Sequence, residues 1–362
     1  MIKLNDGKIG AKEFFAMIIF MIGIKFKDGT PELLYEAGKN AAWMMPLFSL
    51  VFLLVPFLML LSLLKKHQTG FLELIFKLTG NHVGSILILL LFVLFFGSVT
   101  VNYRSHAEII STLFFTKTPV AILVFVIVAA SLYIAYLGLE TIGRISWLIL
   151  PTFFALMIVL IAFTWRQINW GFFFPIEGPG LAAVLRESVK HSAIISEVIL
   201  LSALYPFLQK ERDFRSSFSI GIVFSCIQLA VFLVLLVLVF DFPGVANINF
   251  PYQQLTRFVT IGPIISHAEG LFLGFWSIVT AIHFAIYLIL LVFLFARLLR
   301  LKENARLLIP LAGIIFFLSL FPENVFQLTE YRKAYIAFKS WFAFCLVILL
   351  WVLDKWKGWK RQ

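Results

Sequence analysis

Long apolar runs separated by short polar stretches set the pattern of this chain. Ten of them come close to or exceed the roughly 20 residues that a helix needs to cross a bilayer. They lie near 9–36, 41–64, 82–115, 119–138, 143–165, 179–208, 214–240, 268–299, 306–322 and 334–354. The run 85–96 (Ser-Ile-Leu-Ile-Leu-Leu-Leu-Phe-Val-Leu-Phe-Phe) does not alternate apolar and polar positions, so it does not read as a strand of a closed barrel. Helices are the other way to satisfy backbone polar groups in lipid. The pattern therefore predicts an all-α integral membrane protein with ten transmembrane helices. The first, third and sixth runs are the least uniformly apolar.

Composition sharpens that picture. Of 362 residues, 61% are hydrophobic and 14% are charged. Soluble domains are about 45–50% apolar and about 25% charged. The partner implied is a lipid bilayer; a water-soluble enzyme, a disordered chain and a nucleic-acid partner are poor fits. The net charge of +11 then reads as cationic loops rather than as a nucleic-acid footprint. With ten spans both termini share one side. Placing them inside puts a majority of the 30 Lys and Arg residues there, from Lys3, Lys8 and Lys12 to Lys355, Lys357, Lys360 and Arg361, which predicts cytoplasmic termini. Trp165, Trp170, Trp341 and Trp356 fall near predicted span ends, as interfacial anchors do. Cys226 and Cys345 sit singly in apolar runs, so neither a disulfide framework nor a thiolate zinc site is expected. Residues 1–13 are polar and no cleavage site follows, so no cleavable signal peptide is expected. The longest outer loop, about 241–267, is too short for a domain, and the chemistry must lie in the bilayer or at its edges.

Polar residues inside spans are costly and mark sites or pathways. Span one is apolar over 14–24 and then carries Lys25, Lys27, Asp28, Gly29, Thr30 and Pro31. Glycine permits non-helical dihedrals and Pro31 disfavours helix at Thr30. This predicts an inner helix, a break near 23–29 and an outer half-helix from Pro31. A span that simply ends at Ile24, with a polar loop after it, fits the same residue types. Span three places Ser98, Asn102 and Ser105 on one helical face and Thr100, Arg104 and Glu108 on another. Arg104 and Glu108 can pair at i, i+4. His106 and Glu108 point to different faces, so no metal site is read there. Span six begins at Gly178-Pro179-Gly180 and is densely polar up to Glu197, the most deeply placed carboxylate of the chain. A helix broken near 192–196 accounts for that density, and so does a helix that starts near 192. Span eight aligns Trp276, Thr280, His283 and Tyr287 on one face. One such histidine is more often a packing residue than a ligand contact; four members in succession point toward a cavity.

Spans one and six are both interrupted, and spans three and eight both carry polar stripes, five helices apart. Paired interruptions of this kind predict two inverted five-helix repeats, here 1–168 and 169–362, with a midplane site at their interface. Half-helix N-termini in such sites hold anionic groups such as a carboxylate.

Several stretches taken together resemble a known family. They are Ala37-Gly38-Lys39-Asn40-Ala41-Ala42-Trp43, Arg104 with Ala107-Glu108 and Thr118-Pro119, Ser196-Glu197-Val198 with Pro206-Phe207, and Phe250-Pro251-Tyr252-Gln253-Gln254-Leu255 followed by Arg257, Ile261 and the run Glu269–Trp276. In order and spacing they resemble the B subunits of bacterial spore nutrient-germinant receptors, the spore germination permeases of the amino acid–polyamine–organocation transporter superfamily. The resemblance implies a LeuT-like 5+5 fold, a small amino acid-like nutrient as ligand, A and C partner subunits, and residence in the spore inner membrane. Carried over by position, the family's pocket between spans one, three, six and eight would include Gly23, Ser98, Ile194, His283 and Tyr287. The adjoining Ile24, Ile195 and Thr280 complete the candidate ligand site. This chain departs from the family after the span-one glycine. It has Lys25, Lys27 and Asp28 where many members are apolar, and the size and charge of the ligand turn on that difference.

The function expected is a transporter-like nutrient sensor that triggers germination and ion release, with Arg104, Glu108 and Glu197 as a candidate polar or ion path. No catalytic residue, metal or cofactor is expected. An autonomous H⁺- or Na⁺-coupled amino acid transporter would share the fold. An intramembrane enzyme would need an acid/base pair in one cavity, and His191 with Glu187 is the only pair in helical register.

Overall fold

The computed structural model describes residues 7–248, 250–258, 268–301 and 305–359. Lys3, Lys360 and Arg361 of the charge count and Ile261 of the family resemblance lie outside the described residues. Within them the regular elements are helices, apart from one isolated bridge between Ile9 and Leu208. Short 3₁₀ turns aside, they are in chain order α1 (Ala11–Met21), a 3₁₀ segment (Gly23–Lys27), α2 (Thr30–Gly38), α3 (Met44–His67), α4 (Phe71–Thr79), α5 (Asn81–Leu113), α6 (Val120–Tyr136), α7 (Leu139–Thr164), α8 (Leu181–Lys190), α9 (Ala193–Ser196), a longer 3₁₀ segment (Glu197–Phe207), α10 (Glu211–Phe240), α11 (Phe242–Asn247), α12 (Pro251–Thr256), α13 (Ala268–Leu298), α14 (Leu308–Ser319) and α15 (Val325–Trp359).

Seven of the described helices are long and apolar enough to cross a membrane. The other three predicted spans fall on the divided α1–α2 segment and on the shorter apolar helices α6 and α14. The structure departs from the sequence reading at three places. Residues 71–79, read as loop, form α4, whose Phe71, Leu72, Leu74, Ile75 and Leu78 are buried. That helix is too short to register as a span. The last helix begins at Val325 rather than near 334, which puts Trp341 in mid-helix instead of at an end. The long loop holds the two short helices α11 and α12.

The core forms around α1 and α13. Both are apolar on most of their surface, and a helix of that kind in the centre of a bundle is enclosed by its neighbours. Seven residues of α1 are buried, from Phe14 to Met21. It packs on α10, α7 and α13, while α13 packs on α6, α5 and α7. Outward-facing apolar residues such as Val51, Leu54, Val55 and Leu58 of α3 stay exposed, as a lipid-facing surface requires. At Gly97 a Cβ would stand 2.1 Å from the phenol oxygen of Tyr335, so α5 and α15 can approach only over a glycine. The Ile9 amide donates to the Phe207 carbonyl at 2.8 Å, which ties the start of the first interrupted segment to the end of the sixth.

Candidate functional site

Span one does break where glycine and proline predicted. α1 stops at Met21, five residues wind as 3₁₀, and α2 starts at Thr30 with Pro31 in its first turn. A break exposes backbone carbonyls that must find partners. Here side chains from other elements supply them. Gln228 of α10 donates to the Gly23 carbonyl at 3.1 Å, and Gln253 of α12 donates to the Lys27 carbonyl at 2.6 Å. His283 of α13 contributes Nδ1–H to the Phe20 carbonyl at 2.7 Å. Because that carbonyl can only accept, the proton of His283 lies on Nδ1. Gly23 is also the point of close approach to α10, where a Cβ would lie 3.2 Å from Gln228 Oε1.

Span six breaks differently. α8 ends at Lys190, a turn at 191–192 follows, and a single α-turn of Ala193–Ser196 passes into 3₁₀ from Glu197. The break places Glu197 deep in the protein, with 2% of its surface exposed. A buried carboxylate loses several kcal/mol of hydration unless charge and hydrogen bonds replace the water. Glu197 has three such donors. Lys25 of the first break and Tyr287 of α13 donate to Oε2, and Lys339 of α15 donates to Oε1. Lys339 also donates to Ser98 of α5 at 2.7 Å and lies 5.3 Å from the Phe95 ring centre. One carboxylate thus joins four helical segments.

Further along the same break, the Lys27 ammonium donates to Thr280 Oγ1 and stands 5.3 Å from the Trp276 ring centre. Asp28 is held by Arg332 at 2.8 Å and caps α2 by accepting the Thr30 amide at 2.7 Å. Two cavities adjoin these groups. One of about 230 Å³ is lined by Gly29, Glu32, Ser105, Glu108 and Arg332 among others. The other, of about 40 Å³, is walled by Lys27, His106, Tyr252, Trp276 and Thr280 among others.

Of the residues the sequence singled out, Ser98, Glu197, Thr280, His283 and Tyr287 all bear on this one region. The stripe of α13 runs along the first break, from Trp276 beside Lys27 to Tyr287 on Glu197. Gly23 turns toward α10. Ile24 is buried in the 3₁₀ segment, and Ile194 and Ile195 are buried on α9, which packs on α15 and α3. Arg104 and Glu108 form their i, i+4 pair at 3.2 Å, with Glu108 on the wall of the larger cavity. They share no contact with Glu197, so the three do not form one continuous chain of direct bonds. The Glu187–His191 pair does not form. Glu187 takes Lys190 at 2.6 Å and Arg186 at 3.5 Å, while His191 bonds the Glu187 carbonyl at 2.9 Å. An ammonium and a guanidinium give the carboxylate charge-assisted bonds, while the His191 ring is turned to a backbone carbonyl.

Lys339 is the residue that sequence reasoning missed. It lies within the tenth predicted span, 334–354, after Ala334–Phe338 and before a long apolar run, and nothing singled it out there. A lone lysine inside an apolar run was the available signal. Arg332 and His106 were equally unassigned: Arg332 gains Asp28 and Thr30 only where α15 crosses the broken segment, and His106 reaches the small cavity only through the placing of α5 beside it. Among the described residues no three His, Cys, Asp or Glu side chains gather as a metal centre would need.

Over residues 8–327 the sequence matches the family described as Spore germination protein. It is 24% identical over 307 residues to spore germination protein B2 of Bacillus subtilis, spanning 82% of this chain and 81% of that protein. It is 22% identical over 285 residues to spore germination protein A2 of the same organism, 77% of each. Among solved structures, a mutant manganese transporter from Eremococcus coleocola superposes with a TM-score of 0.61, covering 94% of this chain and 78% of that one. At 13% identity that likeness concerns the fold alone, and it is the LeuT-like fold of a transporter.

Proposed function

Because this chain belongs to the spore germination protein family, we propose that it is the nutrient-sensing membrane subunit of a spore germinant receptor. It acts with A and C subunits in the spore inner membrane, both termini cytoplasmic, and its two five-helix repeats are 1–168 and 169–362. The observation that carries this reading is the meeting of both interrupted segments on one buried carboxylate, with a small cavity further along the first break at Lys27. A small amino acid-like ligand docks where the breaks meet α5 and α13, against Gly23, Ile24, Ser98, Ile194, Ile195, Thr280, His283 and Tyr287. A zwitterion carries both charges found in the Lys25–Glu197–Lys339 cluster. Its carboxylate can take a lysine from Glu197, and its ammonium can take Glu197 from a lysine. Such an exchange favours one packing of the segments over another, and a ligand shifts an equilibrium only through a difference of that kind. Release of Glu197, with Arg104 and Glu108 nearer the larger cavity, then opens a polar path for ions.

The test is a germinant screen on spores carrying His283→Ala or Tyr287→Phe. The nutrient profile or its potency is expected to shift about tenfold or more, as loss of a buried hydrogen bond to a charged group implies. An unchanged profile in both would remove the ligand from this place. The fold likeness to a transporter favours a second reading, an autonomous H⁺- or Na⁺-coupled amino acid transporter. Uptake of labelled amino acid by vesicles holding this chain alone would select it.

A further inference from the structure

Lys27 differs from Lys25, the other buried lysine of the broken segment. Its side chain is enclosed, with 4% exposed. Yet among the described residues no carboxylate lies within ion-pair distance of it; its contacts are a hydroxyl and a ring face. The neighbouring carboxylates are engaged elsewhere, Asp28 by Arg332 and Thr30, Glu197 by Lys25 and Lys339. A buried cation without an opposite charge is costly and calls for an anion. The cavity beside it is walled by three more buried polar groups without a well-formed hydrogen bond: Nε2 of His106, and the indole N–H of Trp276 and the phenol of Tyr252, whose rings pack edge to face 5.0 Å apart. Native proteins leave few such groups unsatisfied, and here three converge on one space.

Their chemistry defines the occupant. Lys27, Trp276 and Tyr252 offer hydrogen-bond donors to it. His106 gives its Nδ1–H to the Asn102 carbonyl at 3.0 Å, which leaves Nε2 as an acceptor for a hydrogen carried beside the anionic group. Glu269 stands on the wall as well, bonded by Arg257 at 3.1 Å. The space of about 40 Å³ admits a few atoms, since one water takes about 10–15 Å³ on the same measure. We propose that this cavity is a carboxylate-binding subsite, in which Lys27, Trp276 and Tyr252 hold the acid group of a small organic acid. As a place for the nutrient's own acid group it rests on the sensor reading above; as a carboxylate site it stands without it.

The experiment uses the full chain purified in detergent, with acetate as probe and acetamide as its uncharged isostere. Acetate is expected to raise the thermal midpoint in a saturable way, while acetamide and chloride at matched ionic strength do not. Lys27→Met should weaken acetate about tenfold or more, and Trp276→Phe less. Lys27→Arg, which keeps the charge, should retain most of the affinity. No response to acetate, an equal response to acetamide or chloride, or full acetate affinity in Lys27→Met overturns the subsite. Should Lys27→Met fail to fold, the acetate–acetamide contrast in the unaltered chain still decides. Spores lacking this chain test the other reading separately: unimpaired nutrient germination would end the sensor proposal and leave the acetate result standing.

Discussion

The two interrupted segments solve the same problem in different ways. The first breaks at Gly23 and restarts behind Pro31, and three side chains from α10, α12 and α13 satisfy its freed carbonyls. It carries Lys25, Lys27 and Asp28 inside the break. The sixth turns at His191–Ser192 with neither glycine nor proline there, then winds as 3₁₀ for 11 residues. Runs of that helix beyond three or four residues are uncommon and accompany hinges or strain. It brings a single carboxylate. One break is thus propped by its neighbours and rich in cations, while the other is self-wound and supplies the anion. The difference teaches that counterpart segments can match in position without matching in chemistry, and that their complementarity is what joins them.

That comparison can be broken most severely at Glu197. Glu197→Gln leaves Lys25 and Lys339 buried without a countercharge, and stability should fall by about 3–5 kcal/mol, read from unfolding of the purified chain in detergent. Lys25→Met combined with it should cost less than the two changes summed, because both remove the same tie. Additive costs would mean that the two breaks are not coupled through this pair. A smaller effect is expected at Asp28, which belongs to the first break alone. Asp28→Asn weakens the bond to Arg332 and the cap of α2, for about 1.5–3 kcal/mol, with Arg332→Met as the second arm of a double-mutant cycle. The smallest is at the prop. Gln228→Leu removes the donor to the Gly23 carbonyl and should cost about 0.5–1.5 kcal/mol, and hydrogen exchange should quicken at residues 22–27 more than at 193–200. Equal quickening at both would show that the breaks do not differ in how they are supported.

The break in span one was legible because glycine and proline act on the local backbone. The stripe of α13 was legible because helical register is a property of one segment. Seven long spans were legible for a similar reason, since apolar length alone declares them. Helix α4 was not, because nine residues are too few to stand out from a loop in a window wide enough to detect spans. Glu187 was read with His191 from register alone. The nearer choice between imidazole and ammonium depends on side-chain reach, which register does not contain. Lys339 was hidden for the opposite reason: its partner lies 142 positions away, and no local pattern connects them.

Sequence by itself determined that this chain is a helical membrane protein, that its first segment cannot run straight through, and which residues share a helical face. These follow from hydration and backbone sterics, which act over a few neighbouring residues. Only the tertiary structure decided which buried charges neutralise one another, that Glu197 answers to Lys25 and Lys339, and that Lys27 is left facing a small cavity. Such pairings depend on which segments cross in space, because electrostatics in a low-dielectric interior is settled within a few ångströms and not along the chain.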